Sequence, residues 1–517
     1  GQPTPAQTAA PAATAQSTAA PTAVPKSTAA PTVVSNKPTG TLNWARGLKM
    51  RTRDPHRIYG LNEHVVNRHV MEPLVELDAN GKVVPVLAES WKVSADGLTW
   101  TFNLRKGVKF HDGTPFDAEA VKAIVERVKG NAKSGYAFVF GNFADEPTRI
   151  VDASTIEFKT KRPEPGLLYN LTYFLFPHPD AASNKEMTWE KSIGTGPYNL
   201  VEFDTDRLYK LEARPDYWKQ GFPKIQTLNY RPVIEQSSLA AGVRAGEFDL
   251  VEGLSPDNVA ALASLPNFEV ARTVSWRLDF LTINQAGPNP AFKDAKVRQA
   301  IAYAIDREVI TRDIMQGAAV PWSTYPPKGI FGATDKIPAN PYDLKKAEEL
   351  MQQSAYPNGF EATVVVPPGV GLHGKEKDVT EFIAQELKKL NIKFTVRTGE
   401  QTALQGEMRE GKHEIGYLSS VAVTGEPDRY YQERIVRQAY KTGYENKAVN
   451  DMILQAATTI DEQKRQALYE ELQLRIWEDM PIVYLMQTAI QMIKRKSITG
   501  FTPMPNQVYN LITTAIS

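Results

Sequence analysis

Cysteine is absent from this sequence of 517 residues, which removes disulfides, thiolate zinc sites and cysteine nucleophiles together and leaves the redox compartment open. An excess of charge of one sign is missing too: 60 Lys and Arg stand against 59 Asp and Glu, a formal net charge of +1. A polyanion meets no global attractive field on such a chain, so no nucleic-acid partner is expected. No run approaches the ~20 consecutive apolar residues needed to cross a bilayer. The common catalytic signatures are missing as well. There is no Gly-x-Ser-x-Gly elbow, no His-Glu-x-x-His and no Gly-Lys-Ser/Thr phosphate loop. Gly194-Thr-Gly196 lacks the third glycine of a dinucleotide fingerprint and runs straight into Pro197.

Histidine is scarce, with seven residues. His56, His64 and His69 are near one another, but the spacing of His64 and His69 takes them off a common helix face, so a two-histidine metal clamp is not supported. The histidines are expected in loops or at the surface. His111-Asp-Gly-Thr-Pro-Phe-Asp117 gathers oxygens like a calcium loop, yet lacks the acidic ladder and distal glutamate, and reads as a turn before a helix starting near Asp117. No metal site and no cofactor are expected. Paired carboxylates for glycoside chemistry are available in number, but sequence alone does not bring any two to the necessary separation.

What is present is material for large cores: 42% hydrophobic residues, eight Trp, 20 Tyr and 20 Phe. At roughly 100–200 residues per domain the length corresponds to two to four domains. Residues 1–38 stand apart, being Ala, Thr and Pro with no acid and no aromatic; such a segment gains too little from burial to offset its chain entropy and is expected to be a disordered tether. With no initiator Met and no apolar signal region, an upstream segment removed by processing is also expected.

Beyond it, Leu98, Trp100, Phe102 and Leu104 alternate with polar residues after Asp96-Gly97, which predicts a β-hairpin closed by a tight primed turn, with Trp91, Trp100 and Phe102 in its core. Residues 294–317 carry helical spacing at Val297, Ala300, Ile301, Ala304 and Ile305, with Asp294 as N-cap and Gly317 beyond the end. Further helices are predicted at 342–354, 378–390 and 461–480, the last stopped by Pro481. Strands at 361–366 and 392–396 flank the second of these, as in a parallel crossover. The body is mixed α/β, without a repeat of solenoid period.

The run from Leu87 to Val121, LAESWKVSADGLTWTFNLRKGVKFHDGTPFDAEAV, resembles the hallmark segment of the peptide/nickel/opine class (family 5) of ABC-importer extracellular solute-binding proteins. Ile193-Gly-Thr-Gly-Pro-Tyr198, Arg214-Pro-Asp-Tyr-Trp218, Ala245-Gly-Glu-Phe-Asp249 and Val297-Arg-Gln-Ala-Ile-Ala-Tyr-Ala-Ile-Asp-Arg307 follow in that family's order. Five segments in register extend the resemblance from about Thr41 to the C-terminus. It implies an α/β, two-lobed periplasmic-binding-protein-like fold (type II, cluster C) with an extra domain inserted in the first lobe. Lobe one is expected at 39–72, 185–283 and 487–517, the insert at 73–184 and lobe two at 284–486, with strands crossing near 282–285 and 485–488.

The resemblance further implies a non-enzymatic receptor, expected as a monomer, that binds a small-molecule or peptide ligand between closing lobes and delivers it to the membrane permease subunits of an ABC importer. It would work extracytoplasmically, lipid-anchored through a cysteine outside this chain. A cleft hydrolase using paired carboxylates and a sensory or chaperone-like binder are the alternatives. By position along the family pattern, the ligand-binding candidates are Tyr59, Asn62, Phe138, Trp276, Arg277, Tyr417, Ser420, Val423, Thr424 and Tyr484. Val423 falls where peptide-binding relatives place an aspartate that holds the amino terminus, so a buried ammonium would lose its charge partner there. Glu426 or Asp428 could compensate, and Lys375 or Lys377 lies near the position of a carboxylate-holding arginine. An oligosaccharide, an opine-like or aromatic acid and a metal chelate stay open as ligands beside a peptide.

Overall fold

The computed structural model describes Gly1 and residues 37–182 and 193–517; most of the expected tether and the first residues of the second lobe-one segment lie outside them. Lys37–Ser517 forms one compact unit. Its backbone is a long mixed sheet whose strands run, edge to edge, Tyr198–Asp204, Leu208–Ala213, Ile225–Pro232, Thr39–Arg46, Leu250–Glu252, Ile482–Arg495, Phe268–Ile283, Ile415–Val421, Phe360–Val365 and Ile392–Arg397. Thr39–Arg46 pairs in parallel with both of its neighbours. Phe360–Val365 and Ile392–Arg397 are parallel and joined through helix Glu376–Leu387, the predicted crossover.

The two lobes share the long antiparallel pair Phe268–Ile283 and Ile482–Arg495. Every residue of Ile482–Arg495 except the last is buried, Gln487, Thr488, Gln491 and Lys494 included. The ladder between the pair breaks between Val274 and Leu278, opposite Ala489 and Gln487. A smaller four-stranded sheet, ordered Ala88–Val93, Thr99–Leu104, Thr155–Thr160 and Phe143–Asp152, carries helix Ala118–Lys129. That helix begins where expected, and Asp117 caps it: its carboxylate accepts from the Ala120 amide at 3.0 Å.

Three local expectations are corrected. The hairpin forms, but its connection is longer than a two-residue primed turn: Gly97 alone takes positive φ (72°), and its amide donates to the Ser94 carbonyl. The helix expected over 294–317 stops at Tyr303. There the Asp306 side chain caps a new turn through the amides of Glu308 and Val309, a local bond that competes with helix continuation. Arg307 turns inward to donate to the carbonyls of Ala302, Ile305 and Tyr484. Finally, His56, His111, His178, His373 and His413 lie in loops as expected and His64 and His69 on a helix, but all are buried rather than superficial except half-buried His111. A neutral imidazole is a flat, largely apolar ring: His64 stacks on Tyr173 at 3.9 Å and His56 on Phe174 at 4.4 Å. Burial pulls the pKa of His56 and His69 down to about 4, which keeps both neutral at pH 7.

The family-like segments meet around one carboxylate. Buried Glu72 accepts from Tyr217 Oη (2.5 Å), Trp218 Nε1 (2.8 Å) and Thr195 Oγ1 (2.9 Å). Arg214 holds Asp216 and donates to the carbonyls of Lys109 and Phe110. Gly194 and Gly196 run against the end of helix Leu61–Val70, where an added Cβ would stand 2.4 Å from the Val70 carbonyl oxygen or 2.7 Å from that of His69. These residues therefore join the segments 61–72, 109–110 and 194–218 to one another.

Candidate functional site

Where the long strands leave one lobe for the other, buried polar side chains collect from both sides. Arg46, at the end of the first strand, lies 2.7 Å from Glu252 through Nε, and Tyr509 Oη donates to Glu252 Oε1 at 2.8 Å. Burial pulls the Arg46 pKa down, but Glu252 and the surrounding tyrosines outweigh it and the net shift is upward. Arg277, from the broken ladder, donates to Gln507 Oε1 (2.8 Å from Nη2) and to Ser419 Oγ (3.2 Å). Asp279 stands two residues on, on the same strand face, and accepts from Tyr417 Oη at 2.7 Å. Glu376 opens the crossover helix of lobe two. It converges with Asp279 on Gly371, where a Cβ would be 3.3 Å from Glu376 Oε2 and 3.4 Å from Asp279 Oδ2. Burial raises the pKa of both carboxylates.

Several atoms of this junction lack a hydrogen-bond partner within the protein: Nη1 and Nη2 of Arg46, Nε2 of Gln507, Oδ1 of Asp279 and Oε2 of Glu376. Buried polar groups are normally satisfied, and this cluster holds both donors and acceptors that are not.

A second group lies where helix Asp428–Tyr431 meets the segments that carry Tyr59 and Phe138. The Arg429 guanidinium, on helix Asp428–Tyr431, is 3.6 Å from the centroids of both Tyr59 and Phe138. Tyr59 and Phe138 meet edge to face at 5.2 Å. Trp276 faces elsewhere: with Trp322, Val274 and Pro321 it lines a largely apolar cavity of about 590 Å³ beside the crossing strands.

The other candidates are distributed as follows. Tyr417 joins the polar junction through Asp279. Asn62 donates to the Lys49 carbonyl, holding the loop before its helix. Ser420 is half-buried opposite Leu278. Val423 is buried among the apolar residues of lobe one and the insert, its carbonyl accepting from Asn506. The Thr424 hydroxyl accepts from the Glu426 amide. Tyr484 lies in the core of lobe two, its hydroxyl 3.0 Å from that of Tyr430. Glu426 pairs with Arg465, and Lys375 is taken up by Asp257 (2.9 Å) and Asp378 (3.3 Å). Sequence reasoning did not select Arg46, Asp279, Glu376, Gln507 or Arg429 as ligand residues. Only Asp279 carried a signal, its two-residue spacing from Arg277 on a strand.

Comparison with known proteins agrees with this architecture. The model of the family described as bacterial extracellular solute-binding proteins, family 5 Middle, matches residues 82–435. The glutathione-binding protein GsiB of Salmonella paratyphi A is 32% identical over 484 residues, covering 89% of this chain and 92% of the relative. The periplasmic binding protein DppA of Helicobacter pylori, solved with the peptide STSA, matches with a TM-score of 0.78 and 26% identity over 93% of this chain and 99% of its own. The substrate-binding protein CtaP of Listeria monocytogenes shares the fold at a TM-score of 0.84 and 23% identity, covering 93% of this chain and 100% of its own.

Proposed function

We propose that this chain, which belongs to the family 5 bacterial extracellular solute-binding proteins, captures a short zwitterionic peptide of the glutathione type between its lobes for an ABC importer. The observation that carries the ligand class is the set of buried, unpartnered donors and acceptors at the lobe junction. Arg46, with Arg277 beside it, offers positive charge to carboxylates; Asp279 and Glu376 offer negative charge to an ammonium. The amine thus has acidic partners although Val423 replaces the expected aspartate. The name of the GsiB relatives and the peptide bound to DppA support the same class.

The mechanism follows from linkage. A solute that touches both lobes gains its full set of contacts only when they close, so it selects the closed state. We place the hinge at 275–277 and 487–488, where the ladder breaks, and otherwise divide the domains as expected from sequence. Transport needs no bond in the solute to change, and the protein acts as a receptor without catalysis. The working location is extracytoplasmic, with a lipid anchor carried ahead of the Ala/Thr/Pro-rich segment; a lipid-modified cysteine in the native full-length protein is the evidence to seek.

Calorimetric titration of the purified chain with reduced glutathione, short peptides, an opine and a nickel chelate tests the reading. One-to-one binding of glutathione at micromolar Kd or tighter, about −8 kcal/mol or better, with the solute recovered chemically unchanged, is the expected result. Preference for the opine or chelate would overturn the ligand class, and turnover would overturn the receptor role.

A further inference from the structure

Arg429 reaches out of lobe two into a notch built by the other side of the molecule. Tyr59 comes from the loop that follows the first strand and Phe138 from the insert, and their rings stand at 81° to one another. The guanidinium lies 3.6 Å from both centroids, a cation–π arrangement on two faces. Tyr136 and Tyr173 back the Tyr59 ring at 5.0 and 4.8 Å, so the notch is rigid. Of the two terminal nitrogens of Arg429, Nη2 is bound to Glu433 Oε1 at 2.8 Å. Nη1 is buried and has no hydrogen-bond partner, and neither has the buried Tyr59 hydroxyl.

Two buried donors without a partner, on side chains that touch each other across an interlobe contact, describe half of a recognition site, and the missing half is an acceptor. We propose that Arg429 Nη1 and the Tyr59 hydroxyl together receive an acidic oxygen of the bound solute, so that Arg429 both reads the solute's carboxylate and latches the lobes. The assignment rests on the peptide class inferred above and adds to it a second carboxylate position beside the one at Arg46 and Arg277. Burial pushes the Tyr59 pKa up to about 12, so its hydroxyl is a proton donor throughout the physiological range. A guanidinium held by two rings and by Glu433 has a fixed place, which suits shared recognition of a carboxylate better than a flexible ammonium does.

The test uses the full chain and two pairs of probes: glutathione against its diethyl ester, and a tetrapeptide against its C-terminal amide. Wild type is expected to favour each acid over its neutral partner by tenfold or more. Arg429→Gln is expected to weaken the acid at least tenfold while changing the neutral partner by less than threefold, and Tyr59→Phe, which keeps the ring and removes only the hydroxyl, to weaken the acid about three- to tenfold. Equal losses for acid and neutral probes would reduce Arg429 to a clamp between lobes and overturn the assignment while leaving the peptide class standing. If wild type binds none of the four probes, both readings fall.

Discussion

Glu72 shows what the family-like segments do at the level of single residues. Its two oxygens accept from Tyr217, Trp218 and Thr195 in a buried setting, and burial raises its pKa while those bonds oppose the rise. Glu72→Ala would strand three buried donors, and removing one partner of a buried polar set costs the desolvation of those left behind. Denaturant unfolding of that variant is therefore expected to show a loss of about 3–5 kcal/mol, with glutathione affinity of the surviving folded protein within twofold of wild type. A selective loss of binding at unchanged stability would instead make Glu72 a ligand residue. The same case explains what was legible in the sequence: Arg214-Pro-Asp-Tyr-Trp218 and Gly194-Thr-Gly196 are contiguous runs whose residues all serve one joint. The candidate site was harder to read. Its polar residues are scattered from Arg46 to Gln507, and no local period links them.

Among the elements, alternation and capping carried their information well, because pleat and helix turn impose their own spacing. The hairpin strands, the helix start near Asp117 and the Asp294 cap formed as expected. The break within Phe268–Ile283 has no such mark, since a bulge depends on the partner strand and on the lobes pulling at either end. Interlobe contacts were equally silent. Glu164 of the insert lies against helix Asp428–Tyr431 and the preceding Glu426, with Arg162, Arg465 and Asn142 as its other polar neighbours. Burial raises Glu164 to about 7 and Asp428 to about 6, with each further raised by nearby carboxylates. Opening the lobes would rehydrate these groups and return their pKa values toward 4.5 and 3.8. The closed form then binds more protons across this window, so the contribution to closure is fully present below about pH 4 and is lost as pH rises through 6 to 7. Asp279 and Glu376 also titrate upward of their usual range, so the clean reading is a difference. Between pH 5.5 and 7.5, wild type relative to Glu164→Gln is expected to lose several-fold more affinity for glutathione; parallel pH profiles would show that Glu164 stays solvated in both forms.

For the whole molecule, near-zero net charge and a mixed sheet bridging two lobes leave shape change as the means by which a bound solute is announced to a permease. The absence of cysteine makes that change directly measurable, because two introduced thiols can be labelled without interference. Glu202 and Lys393 are exposed and lie on the strands at opposite ends of the long sheet. Spin labels at Glu202→Cys and Lys393→Cys, read by pulsed electron–electron resonance, are predicted to give a broad distance distribution without solute and a shorter, narrower one at saturating glutathione. A distribution that stays the same when bound glutathione is demonstrated in the same sample would contradict capture by closure.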